Sequence, residues 1–225
     1  MNKRNMIIAG TMVLALSMSM VVPAMAEEDP AAPGSDPGGI IESLPGGMDA
    51  YSARYDLIDE AMKAYVLESN ADSMDPGDVQ IVSENIAYMD DDLFQDEVKI
   101  LGKFIQQNFT IEDDEMHLCG SSSVPMLFTV TEAEDGSIVV KEVEEAEDGE
   151  GWSDSVTAMC EKAGISRDDY DVIMNVGQNH DLEAIAQFLD EHPEITGAEF
   201  MGEIKTVEEL HAISDAYMEE LFGEK

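Results

Sequence analysis

Met126-Leu127-Phe128-Thr129-Val130, then Glu134-Asp135-Gly136, then Ile138-Val139-Val140-Lys141-Glu142-Val143 reads as two strands joined by a tight turn. β-Branched and aromatic residues suit a pleated, half-buried surface, and Asp-Gly supplies the backbone freedom that a short hairpin turn demands. The two segments are expected to be antiparallel neighbours. Upstream, Val98, Ile100, Phe104, Phe109 and Ile111 recur at close to every second position, and Met116-His117-Leu118-Cys119 follows. This pattern predicts more strands, with the small-residue run from Cys119 to Pro125 as a loop between two of them.

The flanks of this strand region have a different period. Tyr55, Ile58, Met62, Tyr65 and Val66 recur at helical spacing, predicting a helix capped by Asp49 or Ser52 and running to about Ser69. Asp75-Pro76-Gly77-Asp78 is a turn, and Val79 to Met89 reads equally as a short strand or a turn of helix. Beyond Asp148-Gly149-Glu150-Gly151, Ser153 or Asp154 is expected to cap a helix that stops at Gly164. Ser166, Asp181 and Thr206 each open a further helical pattern, and Glu209 completes a capping box with Thr206. The order is α+β, with no alternating βαβ units: an N-terminal helix packed on an antiparallel sheet of about four strands, followed by C-terminal helices.

Residues 1–26 carry Lys3 and Arg4, an apolar run from Met6 to Val22, and Pro23-Ala24-Met25-Ala26, the three parts of a secretory signal peptide. Cleavage after Ala26 would release a secreted chain into the extracellular or cell-envelope space. Residues 27–48 are rich in Pro, Gly and acidic residues and bury too little apolar surface to offset their chain entropy. They read as a flexible linker. The remainder divides into an α+β domain over 49–176 and a C-terminal helical extension over 177–225.

Charge excludes several partners. The 225 residues hold 50 Asp and Glu against 11 Lys and Arg, a formal charge of −39. Loss of Lys3 and Arg4 with the leader takes this to −41. Such a surface repels phosphate backbones and anionic lipid head groups, so no nucleic acid and no membrane partner is expected after cleavage. The acidic runs Asp90-Asp91-Asp92, Asp113-Asp114-Glu115 and Asp168-Asp169 lack the spacing of a calcium loop. They read as a solvated acidic face that attracts divalent cations nonspecifically.

No His-Glu-x-x-His, Gly-x-Ser-x-Gly, phosphate-binding loop or dinucleotide fingerprint occurs, and no catalytic residue or cofactor site is assignable. His117, His180, His192 and His211 form no pair at ligand spacing and read as surface or packing residues. Trp152, before a helix cap, reads as an N-terminal hydrophobic staple. Cys119 and Cys160 lie 41 positions apart. In an oxidising compartment they admit a disulfide that would stabilise by about 4 kcal/mol, and in a reducing one two free thiols.

The order Glu97-Val98-Lys99-Ile100-Leu101-Gly102, Asn108-Phe109, a Gly/Ser run ending in Pro125, Met126-Leu127-Phe128 and Glu147-Asp148-Gly149 before Ser153-Asp154-Ser155-Val156 resembles a known domain. That domain occurs in secreted proteins and lipoproteins of Gram-positive gut bacteria and in extracytoplasmic tails of some metallopeptidases related to the penicillin-sensing receptor. The likeness spans roughly a third of the chain, and its matching residues are turn and packing residues. Cys119 and Ser121 to Ser123 stand where the domain has a more glycine-rich loop. The resemblance implies an extracytoplasmic domain whose first helix packs on a curved sheet, in a cystatin-like or cone-shaped topology, and implies no catalytic residue.

Together these readings point to a secreted, acidic, non-enzymatic binding or accessory module for an unknown extracellular ligand or protein. Two alternatives stay open: a small enzyme with an acid/base carboxylate in a cone-shaped pocket, and a cation-binding or salt-adapted exported protein.

Overall fold

The computed structural model describes residues 6–7, 47–176 and 180–222. The expected leader, apart from Met6 and Ile7, and the expected linker as far as residue 46 lie outside the described residues. The architecture is α+β. One mixed, open sheet runs in the order β1 (Met6–Ile7), β2 (Val79–Met89), β3 (Val98–Glu112), β4 (Glu115–Glu132), β6 (Gly197–Phe200), β7 (Glu203–Lys205), and β5 (Ile138–Glu145) pairs β4 off that path. The antiparallel run β2-β3-β4-β5 forms its body, while β1 on β2 and β6 on β4 are short parallel additions.

The turns follow from local chemistry. Asp113 and Asp114 both adopt positive φ, 52° and 64°, between β3 and β4. That is the mirror-image turn whose twist matches paired strands, and Asp tolerates it better than most residues. The expected Asp-Gly hairpin joins β4 to β5, with Gly136 at φ 84° and Asp135 Oδ1 accepting from Ser137 N at 3.1 Å. Gly77 answers a different need: a Cβ there would lie 2.4 Å from the Phe109 carbonyl oxygen. Register shifts at Ile86/Tyr88, Asn108/Phe109 and Thr129/Val130 insert bulges that bend and twist the strands.

Helix α1 (Gly47–Ser69) covers one face of the sheet. Its stripe of Ile58, Met62 and Val66 is fully buried against Val82, Phe104, Phe128 and Val130. Each such side chain contributes about 1.5–3 kcal/mol of transfer free energy. On the opposite face lie α2 (Trp152–Ala163), α3 (Arg167–Val176), α4 (His180–Glu191) and α5 (Val207–Phe222). Leu101 and Leu127 meet α2 and α3 there, while Val79, Ile81, Phe109 and Met116 meet α4 and α5. The residues expected as a helical extension thus share the sheet's core and add β6 and β7 to it.

Some local expectations are corrected, and the open reading of Val79 to Met89 is decided in favour of the strand. Cys119 to Pro125 is no loop, because β4 runs unbroken from Glu115 to Glu132 and pairs with β3 through this stretch. Val79 to Met89 is a strand of 11 residues. Helix α2 begins at Trp152 itself, with Gly151 as its N-cap and no capping side chain, so Trp152 is the first helical residue and not a staple before the cap. Asp49 and Ser52 lie inside α1 and Asp181 inside α4, so none of them stands at the cap position expected of it, whereas the remaining end signals act as read. Gly164 closes α2 in the left-handed conformation, and Thr206 and Glu209 bond each other's backbone N–H groups.

Candidate functional site

Two places gather chemistry-bearing side chains, one inside the α1 face and one on the helical face. On α1, Asp59 and Lys63 lie one turn apart beside the apolar stripe, and Glu84 points at them from β2. Lys63 Nζ stands 2.8 Å from Asp59 Oδ2 and 3.1 Å from Glu84 Oε2, with all three side chains less than 8% exposed. One cation faces two acids in a water-poor setting. Burial, followed by the Asp59 charge, raises Glu84 to about 8. Burial also raises Asp59, although Lys63 opposes it. Burial works against the Lys63 ammonium, but Glu84 and Asp59 outweigh it and hold its proton more tightly. At neutral pH the cluster therefore keeps one carboxyl protonated, the neutral sum that a low-dielectric interior favours.

Asp59 Oδ1 and Glu84 Oε1 accept from no other group, and the hydrogen bond that the two acids share raises Glu84 and lowers Asp59. The hydroxyl of Tyr55 is driven far up by burial and by the nearby acids Glu84 and Asp59. Further along the same face, side-chain amides form a chain. Asn70 Nδ2 donates to Gln106 Oε1, Gln106 Nε2 to Asn108 Oδ1, and Asn108 Nδ2 to the Asp75 carbonyl, at 2.9, 2.9 and 2.7 Å.

The second place is a shallow groove of about 430 Å³ on the helical face. Lys103 of β3 with Ser123 and Pro125 of β4 form its floor, and Trp152, Tyr170, Asp171, Met174 and Asn175 form the helical wall. The wall is held by Arg167, whose guanidinium lies 5.0 Å over the Trp152 ring and 5.6 Å over Tyr170. Arg167 Nε also donates to Asp171 Oδ1 at 2.9 Å. This arrangement fixes an indole that is 41% exposed, whereas Tyr170 is buried and its hydroxyl is pushed up to about 12, chiefly by burial. Among the described residues Lys103 makes no hydrogen bond or ion pair. Its charge reaches the first residues of α4, where burial lowers His180 and raises Asp181, with Lys103 lowering both.

The concavity thus brings together a fixed aromatic plate, a lysine with no ion-pair partner among the described residues, and a few amide and hydroxyl groups. Among the described residues no group of three or more His, Cys, Asp or Glu is placed to hold a metal ion. The histidines stay apart. His117 stands 4.0 Å from Glu115 and His180 3.8 Å from Glu183, while His192 stacks on Phe188 and His211 lies 2.9 Å from Asp190. Cys119 and Cys160 are free thiols, so the disulfide that their spacing admits is not formed. Cys119 is exposed and its Sγ donates to the Asn108 carbonyl at 3.2 Å, while Cys160 is buried among Leu101, Leu127 and Val156.

Neither place was assembled from sequence, but both left traces in it. Asp59 and Lys63 have ion-pair spacing next to a buried stripe, and Arg167 and Asp171 share the same interval. Ser123, Pro125 and Trp152, read there as loop and staple, converge on one groove. No family model, curated protein or solved structure matches the chain.

Proposed function

We propose that the chain is a secreted, non-enzymatic binding module whose ligand lies in the groove between α2, α3 and the β3-β4 floor. The observation that carries this reading is the exposed Trp152 ring, fixed by Arg167 across from the unpaired Lys103 ammonium. A guanidinium stacked on a ring that is 41% exposed contributes only about 0.5–1 kcal/mol to folding. For binding the same arrangement is an advantage, because an ordered plate loses little entropy when a ligand stacks on it.

Trp152 is the sole tryptophan, so its emission reports on this groove without labelling. Titration with free amino acids, short peptides and neutral oligosaccharides separates three ligand classes. One class is expected to shift the emission saturably, with the shift lost in Lys103→Ala or weakened in Arg167→Ala. Flat titrations for all three classes would refute the reading.

One observation favours a second reading, the small acid/base enzyme. Glu84 retains a proton near neutral pH, as a general acid must. Its side chain is only 3% exposed, however, so a substrate would have to part α1 from β2 to reach it. Hydrolysis or isomerisation of any substrate lost in Glu84→Gln, with the fold intact, would establish this reading over the first.

A further inference from the structure

The long strand β4 has one edge filled by β3 for nearly its whole length, from Val130 to Glu115. Its other edge is filled only at the ends, by β6 at Glu115 and Met116 and by β5 from Met126 to Glu132. Residues 117–125 face no strand there. Two end contacts show which backbone groups point outward: the Pro125 carbonyl accepts from Ala146 N at 3.0 Å, and Leu118 N donates to Glu199 Oε2 at 3.2 Å. Because backbone groups alternate along a strand, Ser123 and Ser121 turn their N–H and C=O groups the same way as Pro125. Both are exposed, and among the described residues no strand pairing or backbone bond reaches them on that edge. Gly120 to Ser123 places nothing bulky in the way.

We propose that this gap is a strand-addition site for a short cationic peptide, which pairs with Ser121 and Ser123 and lays alternate side chains into the groove beside Trp152. The seating of those side chains rests on the groove being the ligand site; the pairing itself does not. Three observations choose the occupant. From Leu118 to Pro125 the gap spans about 23 Å at strand rise, closed at both ends in the plane of the sheet. It admits about six extended residues and excludes the 18-residue β4 of a second copy. Carboxylates stand at both mouths, Glu145 and Glu147 at one and Glu115 and Glu199 at the other, within a chain of charge −39. Ser123 and Pro125 belong both to the gap and to the groove floor, so a paired peptide would aim every second side chain at the Trp152 face, where its apolar side chains pack on the indole, and its alternate basic ones at the opposite face, away from Lys103.

The test uses acetyl-(Lys-Val)3-amide and the same peptide N-methylated at alternate residues, which keeps charge and removes donors. The unmodified peptide is expected to bind saturably below about 1 mM and to slow amide exchange at Ser121 and Ser123 by about tenfold or more. The methylated peptide should bind at least about tenfold more weakly. Ser121→Pro with Ser123→Pro should abolish binding while the melting temperature stays at the wild-type value, since the lost N–H groups face outward. Equal binding of both peptides, protection elsewhere, or no binding overturns the proposal. A Trp152 response without protection of the two serines also overturns it and leaves the groove reading standing. Protection that persists unchanged in Trp152→Phe upholds the strand pairing and removes the groove reading.

Discussion

Glu84 Oε2 lies 3.1 Å from Lys63 Nζ, a contact between the second strand and the first helix made with both side chains almost wholly excluded from water. Asp59 shares the same ammonium. A buried cation that serves two acids is worth most when judged by what its loss would strand.

Replacing Lys63 by Met would leave Asp59 and Glu84 buried with no counterion. We expect Lys63→Met to cost about 3–5 kcal/mol. Glu84→Gln replaces a carboxyl that is already protonated by an amide of the same shape, and should cost within about 1 kcal/mol at pH 6. Urea unfolding of the two variants checks the contrast, and comparable losses would mean that Glu84 is ionised.

The same proton makes stability depend on pH in an unusual direction. Glu84 rises from 4.5 to about 8 in the folded state, so the folded chain binds the proton more tightly than the unfolded one. Its stabilising effect is complete below pH 4.5 and is lost as pH rises through 8. Between pH 5 and 8 the melting temperature of the native chain should fall relative to that of Glu84→Gln, in which this group cannot titrate. Parallel curves would contradict the assignment.

Much of the framework was legible because its signals are local. The α1 stripe, the Asp135-Gly136 turn, Gly164 and the Thr206/Glu209 box each depend on a few neighbouring residues. The continuity of β4 was not legible, since Gly, Ser and Pro disfavour strands and only the pairing of Lys103 to Asn108 across from them keeps the segment extended. Strands β6 and β7 are too short to show a period, and their hairpin turns on Met201 and Gly202, both at positive φ. The charge cluster was hidden among 50 acids, where no pattern marks the few that are buried.

The cysteines give a count. Native protein should take one alkyl adduct, at Cys119, and urea-unfolded protein two. Burial raises both thiols and slows the native reaction. No adduct in either state would mean that the two are bridged.

Self-repulsion at −39 should make the melting temperature climb from low to moderate salt. Calcium and sodium at matched ionic strength should act alike. A calcium-specific shift that saturates would promote an acidic run from solvated surface to site.

The most direct test of the binding reading is the emission of Trp152 during titration with acetyl-(Lys-Val)3-amide at constant ionic strength. A saturable blue shift that weakens in Arg167→Ala, where the Trp152 ring is no longer held, is the predicted result. An emission maximum that stays fixed while calorimetry reports binding would place the ligand elsewhere on the molecule and contradict the assignment of the groove.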